Sequence, residues 1–208
     1  MQLLKTRDFA FSLLIGAVFL VVGYIVMSHA VTYATESISN SVTDIVLSNL
    51  PVYNVGGIFV WGVAALFLVA VLACYAAFER TPFVLKSAGL FMLIRAFFIS
   101  LTHISPYPLH AAISQNIVTY LVPSFFNGDD LFFSGHTGFP FLLALIFWDH
   151  AILRWIFLGF SLLFAIVALL GHLHYSIDVA SAYFITFTIF ILAKMLFKRD
   201  WARGSARP

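Results

Sequence analysis

Two short polar motifs interrupt a chain that is otherwise almost wholly apolar. Ser134-Gly135-His136-Thr137 stands near the start of one hydrophobic segment, and His174-Tyr175-Ser176-Ile177-Asp178 opens the last one, 38 residues after His136. A single helix-sized apolar segment and a charged turn lie between them, so a down-and-up hairpin brings both motifs to the same end of a bundle. Ionisable groups at membrane depth are costly and point to function by default. Two histidines suit displacement at phosphorus. One imidazole attacks and carries the group, while the other protonates the leaving oxygen and then deprotonates the incoming hydroxyl. Asp178, four residues beyond His174, is expected on the same side of one helix, about a turn deeper. There a carboxylate would fix the tautomer of one imidazole nitrogen and make the other a better nucleophile or base. Gly135 lets backbone approach a ligand, and Ser134 with the amides of a helix start adds donors for an anion. Arg95, within the third apolar segment, is a permanent cation whose fork matches phosphate oxygens.

Three plainer readings compete for these residues. His and Asp in a membrane bundle can simply hydrogen-bond between helices. Arg95 can be a structural partner of Asp178 rather than a phosphate clamp. His172, His174, His136 and Asp178 could hold a metal, although histidines two apart on a helix diverge and no further ligand is evident. A non-catalytic lipid transporter or scramblase could keep the site as a pocket, but the presence of His136, His174 and Asp178 together argues against it. His29, His103, His110 and His150 read as loop or interfacial residues.

The segments that position the motifs follow from composition. The chain of 208 residues is 62% hydrophobic and 10% charged, with a mean hydropathy of +1.01. A soluble fold of this size could not hide that much apolar surface, so hydrocarbon is the expected solvent. The net charge of +2 offers nothing to nucleic acid, the single Cys74 excludes an intrachain disulfide, and there is no Asn-x-Ser/Thr sequon. Taking roughly 20 apolar residues per span, the expected spans are 9–27, 56–78, 83–101, 131–148, 155–170 and 174–197. The fold class is therefore all-α, a six-span polytopic bundle forming one domain over 1–208, with 199–208 expected as a disordered basic tail. Ser28-His29-Ala30 has the small-x-small form of a signal-peptidase site, but the preceding run is long for a signal segment, and an uncleaved first span is expected.

Positive charge orients the bundle. Ten of the 11 Lys and Arg residues fall on one side of the six-span arrangement, the exception being Arg95, and the two long loops contain none. The positive-inside rule then puts the termini in the cytoplasm and both motifs on the outer face, periplasmic or lumenal. The compact chain without sequons leans towards a bacterial inner membrane.

At these residues the chain resembles the type 2 phosphatidic acid phosphatase superfamily and, within it, the sphingomyelin synthase branch. Asn127-Gly128-Asp129-Asp130-Leu131-Phe132-Phe133-Ser134-Gly135-His136-Thr137 is similar to that branch's Gly-Asp-x-x-x-Ser-Gly-His-Thr motif. Gly171-His172-Leu173-His174-Tyr175-Ser176-Ile177-Asp178-Val179 is similar to its His-x-His-Tyr-Thr-Ile-Asp motif. Leu93-Ile94-Arg95 with Ser105-Pro106-Tyr107-Pro108, and Asn49-Leu50-Pro51, resemble two weaker motifs. The resemblance implies His174 as nucleophile, Asp178 as its orienting carboxylate and His136 as acid and base, with no metal or organic cofactor. The residues expected to contact substrate are Arg95, Ser134, Gly135, His172 and Tyr175. The implied partners are a phospholipid donor and a lipid alcohol acceptor within the membrane, and a phosphohistidine intermediate carries the head group between them. A lipid phosphate phosphatase or diphosphatase using water is the alternative. General lipid phosphatases of the superfamily carry a basic Lys/Arg-Pro motif and an arginine six residues before the nucleophile; here that position is Ala168. A site with so little fixed positive charge fits a singly charged phosphodiester better than a near-dianionic phosphomonoester. Asp129, Asp130, Tyr107, Tyr120 and Tyr175 could face an ammonium head group, or serve as interfacial aromatics and helix-start carboxylates.

Overall fold

A computed structural model describes residues 7–113, 119 and 131–205. Asn127, Gly128, Asp129, Asp130 and Tyr120 lie outside the described residues, as does 206–208. The described chain forms α1 (Arg7–Glu36), α2 (Gly56–Ala76), α3 (Thr81–Ile99), α4 (Gly135–Ile146), α5 (Ala151–Leu170), α6 (Ser176–Leu196) and α7 (Lys198–Ser205). Five of these, α1, α2, α3, α5 and α6, are long and apolar enough to cross a membrane. The chain is a polytopic helical membrane protein.

Alternation of direction puts two kinds of connection at opposite ends. One end gathers the turns after α2 and α4 with α7 and the start of α1. There Arg80 makes a bidentate pair with Asp149 and also donates to the carbonyls of Ile146 (2.8 Å) and Gly204 (2.9 Å). Lys86 Nζ donates to Asp200 Oδ2 at 2.6 Å and to Ser12 Oγ at 2.7 Å. These buried cations are acceptable because each meets acceptors on several elements. The other end gathers the long loops and both histidine motifs.

Two expectations change. The fourth segment, expected to span 131–148, is helical only over 12 residues, or about 18 Å at 1.5 Å per residue. That falls well short of the roughly 30 Å hydrocarbon core. Ser134 starts it by accepting from the Thr137 amide at 3.3 Å, as serine N-caps do. A short helix is tolerable at this depth because α4 is enclosed by protein: Leu142, Leu143, Ala144 and Ile146 are buried against α5 and α6. Helix ends surrounded by protein need not reach water. The tail expected to be disordered from 199 is instead helical through Ser205. Asp200 is buried on Lys86 and Ser12, and the Trp201 ring lies 5.0 Å from Phe83 and 5.5 Å from Phe190.

α1 runs unbroken through Ser28-His29-Ala30 and packs along α3. The contact is close because it is built on glycine: a Cβ on Gly23 would stand 2.8 Å from the Gly89 carbonyl oxygen. Small residues let helix backbones approach in lipid, where no hydrophobic force drives them together.

Candidate active site

The two motifs meet. The Ser134 amide donates to the Asp178 carbonyl at 3.0 Å, which joins the strand-like entry of α4 to the first turn of α6. His136 sits at the second helical position of α4 with its ring 4.4 Å from Phe59 and 6.0 Å from Phe164. Pro140, four residues on, has no amide to donate to the His136 carbonyl. Ser161 Oγ on α5 ties the same turn down by donating to the Thr137 carbonyl at 2.8 Å.

His174 is not on the helix with Asp178 as expected. It lies in the turn that precedes Tyr175, and Asp178 is the third residue of α6. The two side chains still approach each other, through a different geometry and at a separation beyond a hydrogen bond. Asp178 turns back over the helix start, accepts from the Tyr175 amide at 3.0 Å and presents the same Oδ2 to His174 Nδ1 at 3.6 Å. Both side chains are buried, at 1% and 5% exposure, so water cannot compete for the contact. A carboxylate on Nδ1 leaves Nε2 as the nitrogen with a lone pair to offer.

Arg95 reaches the site from α3. It is 4% exposed, and its Nε donates to the Phe133 carbonyl at 2.9 Å, one residue before Ser134. Arg95 therefore binds the motif backbone rather than Asp178. Gly135 makes room for it: a Cβ there would stand 3.0 Å from Arg95 Nε and 3.3 Å from Cζ. Arg95, Gly135 and His136 together line a narrow, nearly apolar cavity closed by Phe67, Phe91 and Phe139.

His172 and Tyr175 hold the loops above this cavity. His172 has a left-handed backbone, φ 52°, a region uncommon for a residue with a Cβ. Its Nδ1 is 2.8 Å from the Leu109 carbonyl and its Nε2 is 3.1 Å from that of Leu50. A neutral ring can donate to one of these and an imidazolium to both. Tyr175 hydroxyl donates to the Ser105 carbonyl at 2.8 Å and accepts from the Val42 amide at 3.2 Å. The polar atoms of both side chains, expected at the substrate, thus engage loop backbone. Tyr107 stacks edge-on against His172 at 5.1 Å.

Sequence reasoning missed Asp44. Buried in the first long loop, it caps α6 from outside: Oδ2 accepts from the Ser176 amide at 2.7 Å, while Oδ1 accepts from Val46 (2.8 Å) and Leu47 (3.0 Å). Burial works to raise its pKa, but the amides of Leu47, Ser176 and Val46 outweigh burial and hold the carboxyl below its ordinary value. No local pattern links residue 44 to residue 176. Among the described residues, no group of three His, Cys, Asp or Glu side chains is arranged to hold a metal ion.

Residues 128–195, which carry both histidine motifs and helices α4 and α5, match the family model described as PAP2 superfamily C-terminal. The match supports the PAP2 superfamily. No curated protein and no solved structure matches the chain. The PAP2 superfamily carries lipid chemistry of the phosphatase and phosphotransferase type, and the PAP2-like stretch here holds His136, His174 and Asp178, with the two motifs joined through the Ser134 amide and the Asp178 carbonyl.

Proposed function

We propose that this PAP2-like protein is a phospholipid head-group phosphotransferase of the sphingomyelin synthase type. His174 Nε2 attacks the phosphorus of a phosphodiester lipid. The bond from phosphorus to the glycerol oxygen breaks, and His136, as imidazolium, gives its proton to that oxygen, releasing diacylglycerol. The head group then rests on His174 through a P–N bond. Neutral His136 next takes the proton of a lipid alcohol, whose oxygen attacks phosphorus as the P–N bond breaks. Protons and charges balance over the two steps, and His136 ends as it began. Asp178 holds the His174 tautomer throughout, and the Arg95 guanidinium adds positive charge beside the phosphoryl oxygens.

The single observation that carries the transferase reading is the charge at the site. In the sequence between Lys86 and Arg154 the one Lys or Arg is Arg95, and it meets the motif in an apolar cavity. With a single Lys or Arg in this stretch, the site supplies little fixed positive charge, which a near-dianionic phosphomonoester would need more of than a singly charged phosphodiester in a medium that penalises uncompensated charge. In this reading the motif end faces outward, since the basic residues cluster at the opposite end. Protein in liposomes, given phosphatidylcholine or phosphatidylethanolamine labelled in the head group, should move label to added ceramide or diacylglycerol. Faster release of inorganic phosphate from phosphatidic acid, indifferent to added alcohol, would replace this reading with the phosphatase one.

A further inference from the structure

The cavity beside Arg95 and His136 does not end there. A second, larger groove continues from it and shares Tyr24, Phe67, Met92 and Phe139. It runs along α3 as far as Cys74 and Thr81, where Thr81 Oγ1 donates to the Cys74 carbonyl at 3.0 Å. Its walls are α1, which packs along α3, and α2, which leans chiefly on α5 and barely meets α1 or α3. Rim residues Val21 and Val71 are more than half exposed, so the groove opens sideways into the bilayer along its length. From Arg95 to Thr81 is 14 residues of helix, about 21 Å at 1.5 Å per residue. That exceeds the roughly 15 Å depth of one leaflet's hydrocarbon.

We infer that this groove is the seat of one acyl chain of the lipid substrate, and that its end at the α2–α3 turn sets the chain length accepted. The occupant follows from the two ends. One end is the buried cation and histidine that the proposed reaction uses, the other reaches the α2–α3 turn, where Thr81 bridges to the Cys74 carbonyl, and the lining between is almost entirely apolar. A chain tethered to a phosphoryl group at Arg95 has this groove as its path away from the site. The groove cannot select by hydrophobic affinity, because a chain leaving the bilayer trades one hydrocarbon medium for another. Selection must be steric, through close packing that a chain too long or too bulky cannot satisfy. The inference rests on the proposed lipid reaction, and its test separates the two.

Phosphatidylcholine or phosphatidylethanolamine carrying a photoactivatable group at the end of one acyl chain is reconstituted with the full chain, illuminated and mapped by mass spectrometry. Cross-links should concentrate on the groove near Cys74, Thr81 and Leu85, and a group placed near the carbonyl should move them to Tyr24 and Met92. Cross-links spread evenly over the lipid-facing sides of α5 and α6 would overturn the inference. Ala70→Trp, at a partly buried position of the α2 wall, fills the lower groove. The ratio of long-chain to short-chain turnover should fall on the order of ten-fold, equivalent to about 1.4 kcal/mol; an unchanged ratio contradicts a chain seated there. If no donor is turned over at all, the proposed reaction fails, and the cross-link map alone then decides whether the groove holds a chain.

Discussion

Replacing Gly135 by alanine sets two effects against each other and isolates the role of Arg95. Alanine is the better helix former, by roughly 0.5–1 kcal/mol, and Gly135 is the first residue of α4, so fold stability should hold or rise slightly. The added methyl would stand 3.0 Å from Arg95 Nε and 3.3 Å from Cζ, whereas comfortable contact between such atoms is about 3.5 Å or more. Arg95 must therefore withdraw by about 0.5 Å, and the 2.9 Å bond to Phe133 is strained in step. Misplacement of a substrate-holding group by 1 Å costs about 100-fold in rate, so half that displacement predicts a loss of about ten-fold in kcat/KM. The assay is head-group transfer in proteoliposomes, run beside thermal unfolding in detergent. Activity within two-fold of wild type, with an unchanged melting curve, would show that Arg95 does not touch the reacting group.

Further expectations concern the catalytic pair and its supports. His174→Ala and His136→Ala should each lower turnover by about 100-fold or more, the scale of a lost nucleophile or acid–base group. Asp178→Asn should fall nearly as far without unfolding, since an amide oxygen can still accept from Tyr175; near-native rates in any one of these variants would remove that residue from the mechanism. His172→Gln, which can donate to only one of the two loop carbonyls' positions, should loosen the loops and increase proteolysis at 37–55 or 100–113 more than it changes the rate at saturating substrate. Arg80 holds the Asp149 carboxyl down from its ordinary 3.8 to about 2. A depressed carboxylate pKa contributes stability that is present above the ordinary value and lost as pH falls from about 4 towards 2. Asp149→Asn should accordingly lower Tm at pH 7, with the difference from wild type closing as pH approaches 2; a difference independent of pH would contradict the ion pair.

The helical class was legible because hydropathy is a local signal, and the hairpin spacing anticipated that the backbones of the two motifs meet. Lys86 and Arg80 at one end and the loops without Lys or Arg at the other follow the same pattern that assigned the spans. What was illegible depends on contacts distant in sequence. Hydropathy ran the fourth span to 131–148, since it cannot see that Ser134 caps a helix already at depth and that α5 and α6 enclose it. It set the tail adrift because the partners of Asp200 and Trp201 lie at Lys86, Ser12, Phe83 and Phe190. The i,i+4 spacing put His174 and Asp178 on one helix, whereas the histidine is in the turn and the carboxylate folds back to within 3.6 Å of it. The bond from Ser176 to Asp44 Oδ2 and the loop contacts of His172 and Tyr175 join residues more than 60 apart, which no motif spacing encodes.

The central claim is that His174 carries the head group in transit. Wild-type protein mixed with phosphatidylcholine labelled at phosphorus, without acceptor alcohol, and quenched within the first turnover should hold the label on a single peptide. Fragmentation should place a phosphorylcholine adduct on His174, acid-labile as a P–N bond is, and added ceramide or diacylglycerol should discharge it into a new phospholipid. Label on any other residue, or transfer proceeding at full rate in His174→Ala, would contradict the account.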